Sequence, residues 1–279
     1  MAALCLATVL APAAEPAVAW GEAGHWTIGE IAAHFLSPAA ELEVERLLEP
    51  GPYDTLATAG YWADAHARLY RSYDDYLDRH FIDVDPAADT IDLARDCPGD
   101  CVLRAIDDLS RRLGDRGRPR WRRAQDFRFL VHFVEDVHQP LHVTHPDDRG
   151  GNLTSVVLLG EEMNLHSAWD YGFIELRLAA LDDARGPMGS DVPAWREWAY
   201  ELRLAIDREQ REAWAAETDP VRWAEEGIEP ARRLTFDVED GAELGREDYD
   251  AALPVIERRV QMAAVRLATL LNRLFDEER

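Results

Sequence analysis

The sequence predicts an all-α protein, a mainly helical single domain with one small β-hairpin. Apolar residues recur at the three- and four-residue spacing of a helix through most of the chain, as from Ile28 to Leu36 and from Ala252 to Leu274. Pro and Gly clusters such as 50–52 separate these segments. Residues 153–159 are β-branched and apolar and predict the first strand of the hairpin. No internal repeat or low-complexity linker indicates a domain boundary.

Each predicted helix begins or ends at a residue with a physical reason to do so. Ser37-Pro38 ends the first helix, and Pro38 opens the second because proline fits the first turn of a helix. Residues 102–113 carry their apolar side chains on one stripe, which is typical of an amphipathic helix. In chain order, the predicted helices cover residues 27–36, 38–48, about 57–65, 102–113, 124–139, 166–181, 194–215, 219–226 and 248–275, with an extended stretch at 80–85.

The charge balance of the chain is unusual. The 279 residues carry a net charge of −24, with 30 Lys+Arg against 54 Asp+Glu, and every basic residue is Arg. Such a surface is typical of a heavily hydrated soluble protein, and it also fits adaptation to high salt, where screening weakens repulsion. It argues against general binding of a polyanion through a basic patch. A phosphate substrate must therefore be attracted locally, by metal ions or by a few arginines.

The first 19 residues predict a secretory signal that is removed. A short apolar segment at 2–14 precedes Ala17-Val18-Ala19, which fits an A-x-A cleavage site, although the usual basic residues before it are missing. Cleavage after Ala19 leaves Trp20 as the first residue. No apolar run approaches the roughly 20 residues that span a bilayer. We therefore expect a secreted or periplasmic protein without stable membrane association.

Cys97 and Cys101 flank a Pro-Gly turn in RDCPGDCVL. In an exported protein, such a pair predicts a local disulfide. Two buried free thiols are one alternative. A CxxxC zinc site is another, but no CxxC motif or His lies nearby in the sequence.

Metal-ligand chemistry is concentrated between residues 130 and 170. His132 and Asp136 are four residues apart, which places both on one face of a helix, and His166 and Asp170 repeat the spacing. Pro140 ends the first of these helices and His142 follows at once. A single HxxxD pair is more often a surface ion pair. Two pairs with an intervening His predict a metal site, because imidazole and carboxylate are the natural ligands of zinc.

Further candidate ligands lie upstream. Asp64 is predicted on a helix, and His80 follows in RHFIDVD. In WGEAGH, His25 comes five residues after Trp20. A free α-amino group has a pKa near 8, so a metal ion can displace its proton easily. Together with the carbonyl of Trp20 it would form a five-membered chelate ring. The whole set predicts a site with more than one metal ion.

The candidate ligands lie within a set of short motifs: WGxxGH, WAD, HFID, HFxxDxHQPLH, DRGGN and NLHxxWD. In this combination the chain resembles the zinc-dependent single-strand nucleases of the S1/P1 family, from Trp20 to about Asp170, with a weaker likeness beyond. The resemblance implies a mostly helical domain, a fold shared with zinc-dependent phospholipase C, holding three zinc ions in a cleft. It implies three ligand sets: Asp64, His80, His132 and Asp136; His142, His166 and Asp170; and the Trp20 amine and carbonyl with His25 and Asp136.

The resemblance also implies a reaction. Zinc-assisted attack of water would cleave phosphodiesters of single-stranded DNA and RNA, give 5′-phosphate products and remove the 3′-phosphate of nucleotides. We expect the protein to act as a monomer. Asp64 and Asp136 would be catalytic through the metal ions. The family has an arginine three residues after the aspartate of WAD, where this chain has Ala67. Arg68 is the expected substitute, although a shift of one residue turns a helical side chain by about 100°.

The same resemblance implies contacts to a base. Phe81 would stack on it, Asp83 would hydrogen-bond its edge, and Asn152 would direct an amide at base or phosphate. Stacking tolerates any base but needs an unpaired strand. Core packing is the alternative for Phe81.

Two other functions compete with the nuclease. A zinc-dependent phospholipase C has a similar fold and begins with Trp, but DRGGN and HFID favour the nuclease, and the acidic surface disfavours anionic lipid. A metal-storing or scaffold protein that has lost catalysis is the other, and Ala67 is its only support.

Overall fold

The computed structural model describes residues 20–48, 50–67, 79–144, 147–185 and 191–276. Within these ranges the predicted mainly helical fold is confirmed. The helices are α1 Gly21–Ala33, α2 Pro38–Leu47, α3 Leu56–Ala59, α4 Trp62–Ala67, α5 Leu93–Asp96, α6 Val102–Gly114, α7 Arg120–Asp136, α8 Leu165–Ser167, α9 Phe173–Arg185, α10 Ala194–Ala205, α11 Arg208–Ala216, α12 Pro220–Thr235 and α13 Arg246–Asp276. A 3-10 turn covers Pro140–His142 and a π-helical turn covers Ala168–Gly172.

Helices α7 and α13 run through the interior. Helix α13 packs against α1, α2, α7 and α11, and α7 packs against α6, α4 and α2. From Phe127 onward nearly all of α7 is buried, so it is covered on every side rather than on one stripe. A helix buried all round must satisfy its polar side chains inside the protein. The buried polar residues of α7 are therefore candidates for a functional site.

The β-structure is small. The predicted hairpin is confirmed as strands β3, Ser155–Leu158, and β4, Glu161–Asn164, which pair antiparallel. A short strand that the sequence did not predict, β5 Ala242–Leu244, adds to β3 in parallel. Strands β1, Ile82–Asp83, and β2, Val143–Thr144, also pair in parallel. This second pairing ties the segment after His80 to the segment after His142.

Several predicted boundaries are wrong. Helix α1 begins at Gly21, six residues before the predicted start, and the predicted helix over 57–65 is two short helices. The predicted helix over 194–215 is also two, because Asp207 caps a new helix and exchanges hydrogen bonds with Gln210. Helix α12 continues through Pro230 to Thr235, well past the predicted end at 226.

The start of α7 is a further correction. The sequence predicts the central helix from 124 to 139. The observed helix begins at Arg120, directly after Pro119, and ends at Asp136. Proline is compatible with the start of a helix because the first N–H groups of a helix need no intrahelical partner.

The predicted disulfide between Cys97 and Cys101 is present, which rules out free thiols and a zinc site there. No helix in the described ranges is long and apolar enough to cross a membrane. The predicted signal sequence at 1–19 and Arg68 lie outside the described residues.

Candidate metal centre

The C-terminal half of α7 buries an unusual number of polar side chains. His132, Glu135 and Asp136 are fully buried, as are His138 and Gln139 just after the helix. Burying a carboxylate away from water costs several kcal/mol unless hydrogen bonds or a cation compensate. The surroundings of these residues therefore show whether a cation belongs there.

His132 is the centre of a first group of metal-ligand side chains. Ligand atoms of Asp64, His80 and His132 lie within 4.8 Å of one another, and all three residues are buried. The Asp64 carboxylate lies 3.5 Å from His132 Nε2 and 3.8 Å from His80 Nε2. Helix α4 supplies Asp64, α7 supplies His132, and the chain entering β1 supplies His80. The structure thus brings together three candidates that are far apart in the sequence.

Asp136 lies between this group and His25. Its Oδ2 is 3.0 Å from His132 Nε2 and its Oδ1 is 3.8 Å from His25 Nε2. His25, His132 and Asp136 form a second group within the same 4.8 Å limit. Each oxygen of one carboxylate therefore points toward a different imidazole, which is the arrangement that two ions sharing a carboxylate would require.

A third group consists of His142, His166 and Asp170. The two Nε2 atoms are 3.2 Å apart, and Asp170 Oδ2 is 3.2 Å from His166 Nε2. The 3-10 turn at Pro140–His142 carries His142, while α8 and the π-helical turn after it carry His166 and Asp170. The three predicted ligands of this set thus converge.

The imidazoles of these groups are oriented through their second nitrogen. Nδ1 of His132 donates to the carbonyl of Gly60 at 2.8 Å, Nδ1 of His142 to that of His80 at 2.8 Å, and Nδ1 of His166 to that of Gly150 at 2.6 Å. A carbonyl only accepts hydrogen bonds, so each Nδ1 carries the proton and each neutral ring has its lone pair on Nε2. These are the tautomers that bind metal ions through Nε2.

Whether the site fits a divalent cation depends on what surrounds the lone pairs of its candidate ligand atoms. His142 Nε2 and His166 Nε2 both carry lone pairs, so they cannot hydrogen-bond each other at 3.2 Å. Two nitrogen ligands of one tetrahedral zinc ion lie about 3.3 Å apart, from bond lengths of about 2.0–2.1 Å. Among the described residues, His132 Nε2 and both oxygens of Asp136 also lack a hydrogen-bond partner. The donor atoms therefore fit zinc.

In the absence of an ion, burial shifts the pKa values of these same groups. Burial raises the pKa of Asp136 well above its usual range, and burial likewise raises the pKa of Asp170, against the effect of a hydrogen bond from Gln139. Burial lowers the pKa of His142 well below its usual range and lowers the pKa of His166 to about 4. Neutral imidazoles are ready to bind a cation, and the carboxylates need one to ionise inside the protein.

Glu135 is a functional candidate that the sequence reasoning missed. Its Oε2 lies 2.5 Å from His25 Nδ1, and its backbone carbonyl accepts the indole N–H of Trp20 at 2.8 Å. A Cβ at Gly60 would lie 2.1 Å from Oε2, so only glycine leaves room for this carboxylate. Burial, then the charges of Asp136 and Asp64, raise the pKa of Glu135 well above its usual range. A carboxylate on Nδ1 directs Nε2 of His25 toward the metal groups.

Gln139 is the second residue that was missed. Its Nε2 donates to Asp170 Oδ1 at 2.6 Å, and its Oε1 accepts from Leu141 N at 2.5 Å. It therefore holds a candidate ligand with one end and caps the turn bearing His142 with the other. Both missed residues have a sequence signal, because they are polar side chains that stand beside the predicted ligands in a stretch whose other residues, from Phe129 onward, are mostly apolar.

Among the described residues of this region, His138 is a buried imidazole that faces away from the metal groups. Its Nδ1 donates to the Val134 carbonyl at 2.8 Å, near the end of the helix, and its Nε2 lies 3.2 Å from Arg266. Arg259, also buried, donates to the His138 carbonyl at 2.7 Å. These arginines fix the turn that follows α7.

The DRGGN loop holds His166 from its backbone side. Arg149, Gly150 and Gly151 all have positive φ, and a Cβ at Gly151 would lie 3.1 Å from the backbone nitrogen of His166. Asn152 donates its amide to the Arg149 carbonyl at 2.8 Å. One amide hydrogen of Asn152 is thus used within the loop, and the remaining hydrogen and the oxygen are those that could reach a substrate.

Phe81 directly precedes β1, and it lies on the same side of this extended segment as Asp83. Both are exposed, with Phe81 at 40%, while Ile82 between them is buried at 1%. Core packing of Phe81, the alternative considered from the sequence, is therefore wrong. The alternation of a strand sends both side chains outward beside His80.

Trp20 is buried inside the molecule, at the start of α1. Its φ of 37° is left-handed, and its carbonyl accepts a hydrogen bond from Gly24 N at 3.1 Å. A carbonyl oxygen has a second lone pair, so this bond is compatible with a further ligand. Trp20 stays a predicted ligand, since its amine is free only when the chain is cleaved before it.

A mainly helical fold that buries three groups of His and Asp in metal-ligand geometry defines a class of enzyme with a metal centre. Comparison with known proteins narrows the class. The family model of the S1/P1 nucleases matches residues 20–276, so the chain belongs to the S1/P1 nuclease family, which are hydrolytic enzymes acting on phosphodiester bonds.

Named relatives are similar over nearly their whole length. Endonuclease 2 of Arabidopsis thaliana is 30% identical over 92% of this chain and 90% of its own length. Nuclease P1 of Penicillium citrinum is 29% identical over 93% of this chain and 99% of its own. Nuclease S1 of Aspergillus oryzae is 28% identical over 91% of each. The predicted resemblance, which reached from Trp20 to about Asp170, therefore extends through the C-terminal helices.

Proposed function

We propose that this chain is a zinc-dependent endonuclease of single-stranded DNA and RNA that also removes the 3′-phosphate of nucleotides. Three zinc ions would be held by the ligand sets given above, with Asp136 shared. The arrangement of Asp136 supports this most strongly, because its two oxygens face two different imidazoles and neither accepts a hydrogen bond within the described residues. The names of the relatives support nuclease activity.

A bound zinc ion supplies Lewis-acid chemistry, lowering the pKa of water and offsetting negative charge on phosphoryl oxygens. The residues of the chain would hold the ions and orient their ligands. Asp64 and Asp136, our proposed catalytic carboxylates, would hold neighbouring ions at one end of α7, and Glu135 and Gln139 fix the candidate ligands His25 and Asp170. Water would add to phosphorus as the P–O3′ bond breaks. The 3′ oxygen would leave as a hydroxyl group with a proton that the water gives up, so the phosphate stays on the 5′ side of the product.

Substrate would be held from the exposed face of β1. Phe81 would stack on a base and Asp83 would accept from its edge, with Asn152 reaching from the DRGGN loop. Arg68 is proposed to contact the scissile phosphate in place of the missing arginine at Ala67. Stacking on an exposed ring requires an unstacked base, which favours single strands.

We also propose a domain organisation and an oligomeric state for the chain. Residues 1–19 would be a removed signal and 20–279 one catalytic domain, acting as an exported monomer. The disulfide between Cys97 and Cys101 supports export, because such bonds persist in oxidising compartments.

The deciding experiment measures zinc content and activity of the protein that starts at Trp20. Single-stranded DNA, RNA, 3′-AMP and phosphatidylcholine are the substrates. We expect bound zinc and cleavage of the first three. Fewer than two zinc ions per chain, or cleavage of lipid alone, would overturn the proposal, the second in favour of a phospholipase C.

Trp20 has its own test. One added residue before Trp20 converts its amine into an amide, and the extended protein should lose one zinc ion and most of its activity. A control with the same added residue at the C-terminus should keep both. Unchanged zinc content after the N-terminal extension would remove Trp20 from the ligands.

A further inference from the structure

The positive charge of this acidic chain is concentrated in one stretch. Residues 104–128 contain nine arginines and four aspartates, a net of +5 in a chain of net −24. This stretch covers most of α6, the connection and the first half of α7. The sequence as a whole argues against a general basic patch, but here the balance is locally reversed.

An exposed aromatic residue lies within this stretch. Trp121, in the first turn of α7, is 64% exposed, the highest exposure among the large apolar side chains found on the described surface. The guanidinium of Arg122 lies 5.0 Å from the centre of its ring. Arg122 is exposed and forms no ion pair within the described part of the chain. An open ring beside a cation without a carboxylate partner matches the chemistry of a base and a phosphate.

The exposed edge of α7 connects Trp121 with the metal centre. Trp121, Gln125, Arg128 and His132 follow at spacings of four, three and four residues, so they share one stripe of the helix. Exposure falls along this stripe, from exposed Trp121 through half-buried Gln125 and Arg128 to buried His132. Eleven residues of helix separate its ends by about 16 Å.

The inner end of this edge also combines a cation with aromatic rings. The guanidinium of Arg128 lies 5.7 Å from the centre of the Trp62 ring, and the ring of His66 stacks on Trp62 at 4.5 Å. All three residues are half-buried. Trp62 and His66 belong to α4, the helix that carries Asp64. The edge therefore ends at the helix that supplies a candidate ligand.

We propose that the edge of α7 from Trp121 to Arg128 binds single-stranded nucleic acid that extends beyond the metal centre. The inference rests on the proposed function, because its partner is an extension of the substrate. A base stacks on Trp121, while Arg122 and Arg128 face phosphates. The acidic remainder of the surface repels a polyanion, so this edge guides the strand. Short substrates, which do not reach Trp121, do not use it.

The test compares a long and a short substrate in the protein that starts at Trp20. The variant is W121A with R122E, and the long substrate is an oligonucleotide of about 20 nucleotides against a dinucleotide. We expect Kd for the long strand to rise about tenfold or more, since one base stack and one phosphate contact are lost. The dependence of log Kd on log salt should become shallower by about 0.7 for the lost contact. Cleavage of the dinucleotide should be unchanged.

A matched control exists on α10. Tyr200 is 56% exposed, and Arg203 lies 5.3 Å from its ring centre, so Y200A with R203E removes a similar pair from another surface. Binding is measured on a phosphorothioate strand, separately from cleavage. Equal Kd values for the wild type and the W121A/R122E protein, or equal losses in both variants, would overturn the docking edge. Absence of any cleavage by the wild type would overturn the proposed function instead.

Discussion

The two ends of α7 differ in how their charged and polar side chains are paired. Toward the N-terminal end, the buried carboxylate of Asp126 pairs with the partly exposed Arg118 at 2.9 Å. At the C-terminal end, His132, Glu135 and Asp136 are fully buried and converge on atoms from other elements. At the first end, the charged side chains of α7 are paired with side chains of neighbouring segments, such as Arg118 and Glu43. The second end keeps buried lone pairs that face one another, an arrangement that a bound cation would stabilise. One helix thus carries ordinary ion pairs toward one end and candidate metal ligands at the other. The two ends differ in whether the buried carboxylates of Asp126 and Asp136 have hydrogen-bond partners within the described part of the chain.

Removing the shared carboxylate should have the largest effect. Asp136→Asn keeps the volume but removes the charge that faces both His25 and His132. We expect zinc content to fall and activity to drop on the order of 1,000-fold, since a metal ion contributes several kcal/mol to the transition state. Zinc analysis and kcat/KM on single-stranded DNA check this. Full zinc content in this variant would contradict the assignment.

Glu135→Gln should have a smaller effect at the same end. The amide keeps the shape of the side chain but removes its negative charge, so the hydrogen bond to His25 Nδ1 is no longer charge-assisted. We expect zinc affinity to fall about 10- to 100-fold, as for other partners behind metal ligands. Competition with a chelator measures it. Glu43→Gln is the control, because Glu43 pairs with Arg123 at 2.7 Å at the other end of α7. Equal affinities in both variants would sink this role.

Chelation should lower thermal stability, and more so at higher pH. At zinc concentrations about 100 times Kd, each bound ion would add about 2.7 kcal/mol to the free energy of unfolding. In the metal-free protein, the folded pKa values of Asp136 and Asp170 are raised. Such groups stabilise the fold below their unfolded pKa, and that contribution is lost as pH rises through the folded pKa. Above about pH 6.5 the unfolded imidazoles are already neutral. The difference in Tm between loaded and chelated protein should therefore widen with pH, as calorimetry would show, and a constant difference would contradict it.

The smallest effect is expected for Asp126→Asn. This carboxylate is also buried, but its partners are Arg118 and Arg112 rather than a ligand group. We expect a loss of about 1 kcal/mol in the free energy of unfolding, with zinc content and activity per folded molecule unchanged. Denaturant unfolding and zinc analysis check both. A loss of zinc here would erase the difference between the two ends of the helix.

Local signals explain which parts of the fold were predictable. Ser37-Pro38 fixed the start of α2, and apolar periodicity fixed α6. The break between α10 and α11 was missed because the apolar period continues across it, and only Asp207 with Gln210 marks the new start. Strand β5 was missed because three residues acquire strand structure only through pairing with β3. Pairing partners distant in sequence leave no local trace.

The candidate site was predictable where its residues repeat a spacing. The pairs His132–Asp136 and His166–Asp170 are visible in the sequence, and the structure places each on one helical turn. Glu135 was not predicted, because its role depends on His25, 110 residues away. Whether Phe81 faces solvent or core was also undecided until the strand was seen. Residues that act through a neighbour need the fold before their role is visible.

The repeated four-residue spacing has a consequence for how the protein is made. A helical turn keeps the two ligand atoms of each HxxxD pair close before the remaining ligands arrive. An ion captured by one pair then shortens the search of the other segments, since each added ligand closes a loop whose entropy cost grows only slowly with length. In the proposed metalloenzyme, the order in which ions are acquired would therefore be tied to the order in which the segments assemble.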